Sequence, residues 1–340
     1  MYYCSLNLLK ILNCFLMKKL IALVVFLNFS LLAYNQIIKG TIFDNKTKEK
    51  IYSASIYFSG TSVGTLSDQN GNFQLDVSRY SSMPLTISAI GYYSVTLKTI
   101  ASGKPNIVYM NPKLFELNEV VVNAKSHNRE RRENLTTFRN EFLGITGNAI
   151  NCEITNEDDI RFKYSIDKDT LKAFALKPIL ILNKALGYQI TYYLDKFEYF
   201  KPGNSFFFMG NIIFSEDSTK KMFYERKRKN AFFGSRMHFF RALWMDDLNS
   251  EGFTVKNSAN ETLNYKKIVF QQDSHTKYLK YHGSLGIAYY TKQPTSFVNF
   301  LKESVFFDAN GYFEPYGISW EGEMSRDRIG DMLPYDYSVK

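Results

Sequence analysis

The sequence predicts a mainly β protein, with an N-terminal seven-stranded β-sandwich followed by an α+β domain that has an antiparallel sheet and one long or split helix. Three observations predict it. Between residues 37 and 110, short runs of alternating apolar and polar residues recur, separated by Gly, Asn, Ser and Pro. After residue 124 the runs lengthen, and apolar residues at helical spacing appear among them. Phe and Tyr are abundant, at 29 and 24 residues, and both suit pleated, half-buried strands.

The first 35 residues read as a leader. From Met17, two lysines precede an apolar run from Leu20 to Leu32, broken only by Asn28 and Ser30 and followed by Ala33. A basic start, an apolar centre and a small residue are the layout of a signal peptide, with cleavage expected between Tyr34 and Ile37. A membrane-spanning helix needs roughly 20 apolar residues, more than this run holds. Met17 is the expected true start. No cysteine follows the run at a lipid-attachment position, so the chain does not read as a lipoprotein. Losing Lys10, Lys18 and Lys19 from 42 basic side chains leaves 39 against 33 acidic ones, a net +6. A modestly basic exported chain suits an acidic surface better than nucleic acid. Cys152 is then the remaining cysteine, which excludes an internal disulfide.

Residues 36–124 read as the sandwich. Its strands are "QIIKGTIFD", "IYSASIYF", "VGTLS", "NFQLDV", "PLTISAI", "YYSVTLK" and "NIVYM". In "PLTISAI", Leu85, Ile87 and Ala89 face one way, and Thr86 and Ser88 the other. Asp68, Asn70 and Asn72 alternate as calcium ligands do. If Asp68 were position 1 of an EF-hand loop, however, position 6 would be Phe73 and position 12 Arg79, where glycine and a bidentate Glu are required. Asn70-Gly71 is instead a short-hairpin signal, because both residues tolerate the positive φ of a type I′ turn. The expectation is a hairpin turn without bound metal.

Four segments carry a family resemblance: Gly40–Ile42, Gly60–Phe73 ("GTSVGTLSDQNGNF"), Ile90–Tyr92, and "LNEVVVNA" at Leu117–Ala124. Together they resemble the carboxypeptidase regulatory-like domain, a transthyretin-like sandwich of exported Bacteroidetes proteins. The resemblance covers about a quarter of the chain. It implies a non-catalytic module that stands ahead of TonB-dependent outer-membrane receptors or beside other envelope domains, with no family-wide ligand residues. The residues after Ala124 are too few for a receptor barrel of some twenty strands of 9–11 residues each.

Residues 125–340 read as the α+β domain. Arg129–Phe142 is an amphipathic helix with Leu135, Phe138 and Phe142 on one face. A second helical stretch runs from about Thr219 to Leu248. Phe233, Met237, Phe240, Trp244 and Leu248 form its stripe, and Gly234-Ser235 bends or splits it. Strands surround it, and Asn310-Gly311 marks another hairpin-type turn. "PILILNKALGYQITYYLDKFEY", "GSRMHFFRAL" and "ISWEGEMSRDRIGDMLPYDY" resemble the region that follows this module in other envelope proteins, which adds context and no chemistry.

Candidate chemistry is sparse. His127-x-x-Glu130, with His238 about a hundred residues on, has the ligand spacing of zinc carboxypeptidases. Those enzymes place the motif in an apolar, glycine-bearing turn and put the regulatory domain after the catalytic one. Here it sits in the charged "SHNRERRE" and the order is reversed, so Glu130 reads as a partner of the neighbouring arginines. His275 and His282 read as solvated histidines. "KKMFYERKRKN" holds Lys220, Lys221, Arg226, Lys227, Arg228 and Lys229. It reads either as a solvated helix face or as a basic contact surface for anionic lipid or glycan. No G-x-S-x-G and no phosphate-binding glycine loop occurs.

The functional expectation is an exported binding or assembly protein of the periplasm or outer membrane, without catalytic residues, metal or cofactor. Its partners would be a cell-envelope protein or glycan, with peripheral contact to an anionic membrane surface and none to nucleic acid. Two alternatives stand beside it: an envelope hydrolase, metal- or serine-dependent, in the second domain, and an accessory subunit of a TonB-dependent transporter.

Overall fold

A computed structural model describes residues 36–80, 82–98, 104–113, 124–216, 221–273 and 276–339, with residues 124–128 and 221 described in their backbone only. The expected leader, residues 117–123 of the family resemblance, Lys220 and His275 lie outside the described residues.

Seven strands build the sandwich: β1 (Ile37–Asp44), β2 (Ser55–Phe58), β3 (Gly64–Leu66), β4 (Asn72–Asp76), β5 (Leu85–Ser88), β6 (Val95–Leu97) and β7 (Asn106–Met110). They form two sheets, ordered β4-β1-β7 and β3-β2-β5-β6. β1 pairs antiparallel with β4 and parallel with β7. The two-residue period aims Ile38, Ile42, Phe73, Leu75 and Val108 from one sheet at Ile56, Phe58, Leu85 and Ile87 from the other, and all are buried.

Asn70-Gly71 is a turn, but it is not the tight type I′ hairpin that the dipeptide predicts. Gly71 has φ +69°, whereas Asn70 has no positive φ. The Gly71 N–H donates to the Asp68 carbonyl at 2.9 Å. Asp68 Oδ1 accepts from the backbone N–H of both Asn70 and Asn72, at 2.8 Å each. The Asp68 side chain therefore selects the turn, and it joins strands of two different sheets. The same device recurs at Asp308-Ala309-Asn310-Gly311-Tyr312. There Asp308 Oδ1 accepts from Asn310 and Tyr312, and Gly311 has φ +80°.

The region expected as one α+β domain carries two separate cores. In the middle core, α1 (Ala124–Phe142) lays Phe138 and Phe142 on a six-stranded antiparallel sheet. That sheet consists of β8 (Cys152–Ile154), β9 (Ile160–Tyr164), β10 (Thr170–Ala175), β11 (Ile179–Asn183), β12 (Tyr188–Phe200) and β13 (Ser205–Glu216). Two helices follow, α2 (Lys221–Phe232) and α3 (Arg236–Trp244). The split falls at Gly234, which has φ +80° and whose added Cβ would lie 2.8 Å from the Tyr289 ring. Ser235 then caps α3 by accepting from the His238 N–H. Because of the break, Phe233 leaves the expected stripe and stands 46% exposed.

The distal core has two sheets. β14 (Phe253–Lys256), β17 (Leu285–Tyr289), β18 (Ser296–Phe300) and β20 (Ile318–Gly322) form one, in that order. β15 (Val269–Gln271), β16 (Lys277–Leu279) and β19 (Val305–Phe307) form the other, entered through the single turn α4 (Tyr265–Ile268). Phe239, Phe240 and Leu243 of α3 fill the space between them.

The sandwich is fused to the middle sheet. Thr86 and Ser88, the outward residues of β5, are buried, with the Thr86 hydroxyl 3.5 Å from Asn211 of β13 and the Ser88 hydroxyl against that of Tyr57. Tyr57 stacks on Tyr193, and the Ser55 hydroxyl meets the Tyr193 hydroxyl at 3.0 Å. The corner after β2 extends the β13 edge. The Gly60 N–H donates to Ile212, the Phe214 N–H donates to Thr61, and Thr61 pairs in parallel with Ile213.

The C-terminal segment stitches the three cores together. Met324 belongs to the distal core, and Ile329, Leu333 and Tyr337 belong to the middle one. Tyr335 packs against both the middle core and the sandwich. Its N–H donates to the Gly60 carbonyl at 2.7 Å, and Asp336 accepts from the Ser62 N–H and hydroxyl. Arg241 Nη2 donates to the Tyr335 carbonyl at 2.9 Å, while its Nε reaches Asn310.

Candidate functional site

A cavity of about 500 Å³ opens between the middle and distal cores. The helix break supplies Phe233, Gly234 and Ser235, and the last turns of α2 supply Lys227 and Asn230. Tyr289 at the end of β17 and Ser296 at the start of β18 form a second wall. The segment after β20 contributes Glu323, Asp327 and Asp331, and the loop after α1 contributes Asn148.

Each acidic wall residue is held differently. Arg236 donates to the carbonyls of Met324 and Asp327, at 2.8 and 2.7 Å, and so fixes the backbone that carries the acids. Its guanidinium also rests over the Trp320 ring, 5.4 Å from the centroid. Asp331 accepts from the Thr146 hydroxyl at 2.8 Å and from Asn148 Nδ2 at 3.0 Å. Burial raises its carboxyl, and those two hydrogen bonds oppose the rise. Asp327 is pushed up to about 6 by burial, with Arg236 opposing the shift. The cavity therefore holds one carboxyl tied into a hydrogen-bond network and another poised to change charge near neutrality.

His238 lies just behind this wall. Its ring packs against Phe232, Phe233, Phe253 and Tyr289. The Gly234 N–H donates to Nδ1 at 3.1 Å, so Nε2 carries the proton toward Glu251 Oε2, 2.8 Å away. Burial lowers its pKa and Glu251 opposes this, which leaves a neutral ring that braces the helix break and the two aromatic residues lining the cavity.

His127, Glu130 and His238, whose spacing the sequence does not favour as a zinc triad, lie on α1 and α3. His127 lies in α1 with its side chain outside the described residues, Glu130 is exposed on α1, and both ring nitrogens of His238 have protein partners. No group of three His, Cys, Asp or Glu side chains placed to hold a metal occurs among the described residues. His282 is exposed. Burial pushes the Cys152 thiol up to about 12, which makes it a poor nucleophile.

The basic run divides. Arg226 and Lys227 are exposed and Lys229 is half-buried, but Arg228 is 0% exposed. Arg228 therefore leaves the expected contact surface. Its Nε donates to the Leu186 carbonyl at 2.8 Å, Nη1 pairs with Glu216 at 2.5 Å, and the guanidinium stacks over Tyr188 at 4.0 Å. Helix periodicity turns position 228 inward while 226 and 227 stay outside.

Asn148, Tyr289, Asp327 and Asp331 went unmarked in the sequence because no motif joins them. The one local signal is the charge density of "MSRDRIGD" at 324–331. No helix among the described residues is long and apolar enough to cross a membrane. Comparison with curated proteins gives no match. Residues 38–122, which hold nearly the whole sandwich, match the family model of the CarboxypepD_reg-like domain, and this first domain is a carboxypeptidase regulatory-like domain.

Proposed function

We propose that the chain is an exported cell-envelope binding protein that acts through its cavity, with the regulatory-like sandwich as a fused structural and interaction module. The carrying observation is the cavity itself, about 500 Å³ lined by Asp327, Asp331, Asn148 and Asn230 together with Phe233 and Tyr289. Carboxylates and amides exchange hydrogen bonds with hydroxyls, and aromatic faces pack against the C–H faces of sugar rings. That combination favours an envelope glycan as ligand. The sandwich supports a structural role because its four-stranded sheet is already covered by β12 and β13.

Calorimetric titration with soluble oligosaccharides prepared from cell-envelope polysaccharide tests this reading. Saturable binding is expected, weakened at least about tenfold by Asn148→Ala or Tyr289→Ala. Absence of binding to every glycan fraction, or binding indifferent to both substitutions, would overturn it.

A hydrolase is the second reading, and it rests on Asp327. A carboxyl with its pKa near 6 in a cavity suits a general acid. Release of reducing ends, lost in Asp327→Asn, would put that reading first.

A further inference from the structure

We propose that the outward face of α2 is a docking surface for an anionic lipid membrane. Arg228 and Phe232 turn inward and pin the helix to the middle core. At about 100° per residue, positions 222, 223, 226, 227 and 230 fall together on the opposite face. Met222 is 80% exposed and Phe223 83%, and Arg226, Lys227 and Asn230 are exposed beside them. A face built only for water carries charged and polar residues. This one projects two large apolar side chains flanked by cations.

The charge pattern chooses the occupant. Glu225 is the acidic residue of α2, and it lies off this face, accepting from the Tyr337 hydroxyl at 3.0 Å. Among these outward residues the charges are therefore all positive, beside Met222 and Phe223, the chemistry of a helix that lies in the headgroup layer with its bulky residues dipping below it. Lys227 and Asn230 also line the cavity, so docking by this face would bring the cavity wall close to the membrane surface. The surface stands on α2 alone and does not depend on what the cavity binds.

Co-sedimentation of the mature chain with vesicles tests it, using phosphatidylcholine alone and phosphatidylcholine mixed with phosphatidylglycerol. Binding is expected only to the mixed vesicles and should weaken as salt rises. Arg226→Ala and Lys227→Ala should each lower the partition coefficient about fivefold. Phe223→Ser should lower it about tenfold or more. All three side chains are exposed, so the melting temperature should hold. Equal binding to neutral vesicles, no binding, or binding indifferent to Phe223→Ser would overturn the proposal. So would a dimer abolished by Phe223→Ser, which would assign the face to a second copy of the chain. Glycan titration of Phe223→Ser separates this outcome from failure of the cavity reading, because that variant leaves the cavity lining intact.

Discussion

The Tyr57 ring of the sandwich stacks on the Tyr193 ring of the middle sheet, with centroids 6.1 Å apart and planes 24° from parallel. Around the pair, the Tyr57 hydroxyl meets Ser88 at 2.9 Å and the Tyr193 hydroxyl meets Ser55 at 3.0 Å. Two domains joined in this way should unfold together. Tyr193→Ala removes the stack and one hydrogen bond, with an expected loss of about 2–4 kcal/mol, whereas Tyr193→Phe should lose about 1 kcal/mol. Urea denaturation followed by fluorescence measures both. If the native chain already melts in two well-separated steps, the fused-body description fails.

Arg228 and Arg226 sit two residues apart on one helix and should behave oppositely. Arg228→Ala strips donors from two backbone carbonyls and from Glu216 in a buried setting. The expected cost is about 3–5 kcal/mol, and Arg226→Ala should stay within about 0.5 kcal/mol. Comparable denaturation midpoints for the two variants would contradict the buried placement.

Asp327 should be a stability liability at neutral pH. Its carboxyl is raised from 3.8 to about 6, so the folded state favours the protonated form. The resulting stability is fully present below about pH 4 and is lost as pH rises through 6. Asp327→Asn is therefore expected to stabilise the protein at pH 7.5 by about 1–3 kcal/mol and to change nothing near pH 4. Melting curves at the two pH values decide it, and an equal effect at both would refute the raised carboxyl.

His238 carries the opposite sign. Burial depresses its pKa below the ordinary 6.5, so the unfolded chain binds a proton that the folded one resists. Its contribution is present above about pH 6.5 and fades as pH falls below it. The difference in stability between native protein and His238→Phe should shrink as pH drops from 7.5 to 5. A difference independent of pH would show that the ring is not held neutral.

Gly71 adopts φ +69°, and an added Cβ would lie 2.7 Å from the Ile42 carbonyl oxygen. Gly71→Val should cost about 1–3 kcal/mol through backbone strain alone, and more through the clash. Calcium should leave the melting temperature unchanged, since Asp68 Oδ1 is engaged with two backbone N–H groups. A calcium-dependent rise would reinstate the loop as a metal site.

The sandwich was legible because its core obeys a two-residue period visible in any single strand, as in Phe73 and Leu75 against Asn72 and Gln74. The turn was half legible. Asn-Gly marks the place, but Asp68 chooses the geometry through a side-chain bond that no dipeptide rule contains. The alternation of Thr86 and Ser88 was plain, yet Thr86 is buried beside Asn211, more than a hundred residues later. Counting charges in the "RKRK" run at 226–229 likewise hides which member faces inward, and Arg228 was read as surface for that reason. The cavity was illegible. Its walls come from the segments around 148, 230, 289 and 327, and only the packing of two cores brings them together.

The C-terminal segment that stitches the three cores also sets an order on manufacture. Synthesis proceeds from the N-terminal side, and the contacts of Leu333, Tyr335 and Tyr337 become available only after every strand and helix described above has been made. Until then the Tyr57–Tyr193 stack already joins the sandwich to the middle sheet, but the Tyr335 link to Gly60 and Arg241 is missing. A product ending before Leu333 would contain every strand and every helix described above and still lack the Tyr335 link. Residues 333–337 thus act as a late latch, set only after the elements they fasten are in place.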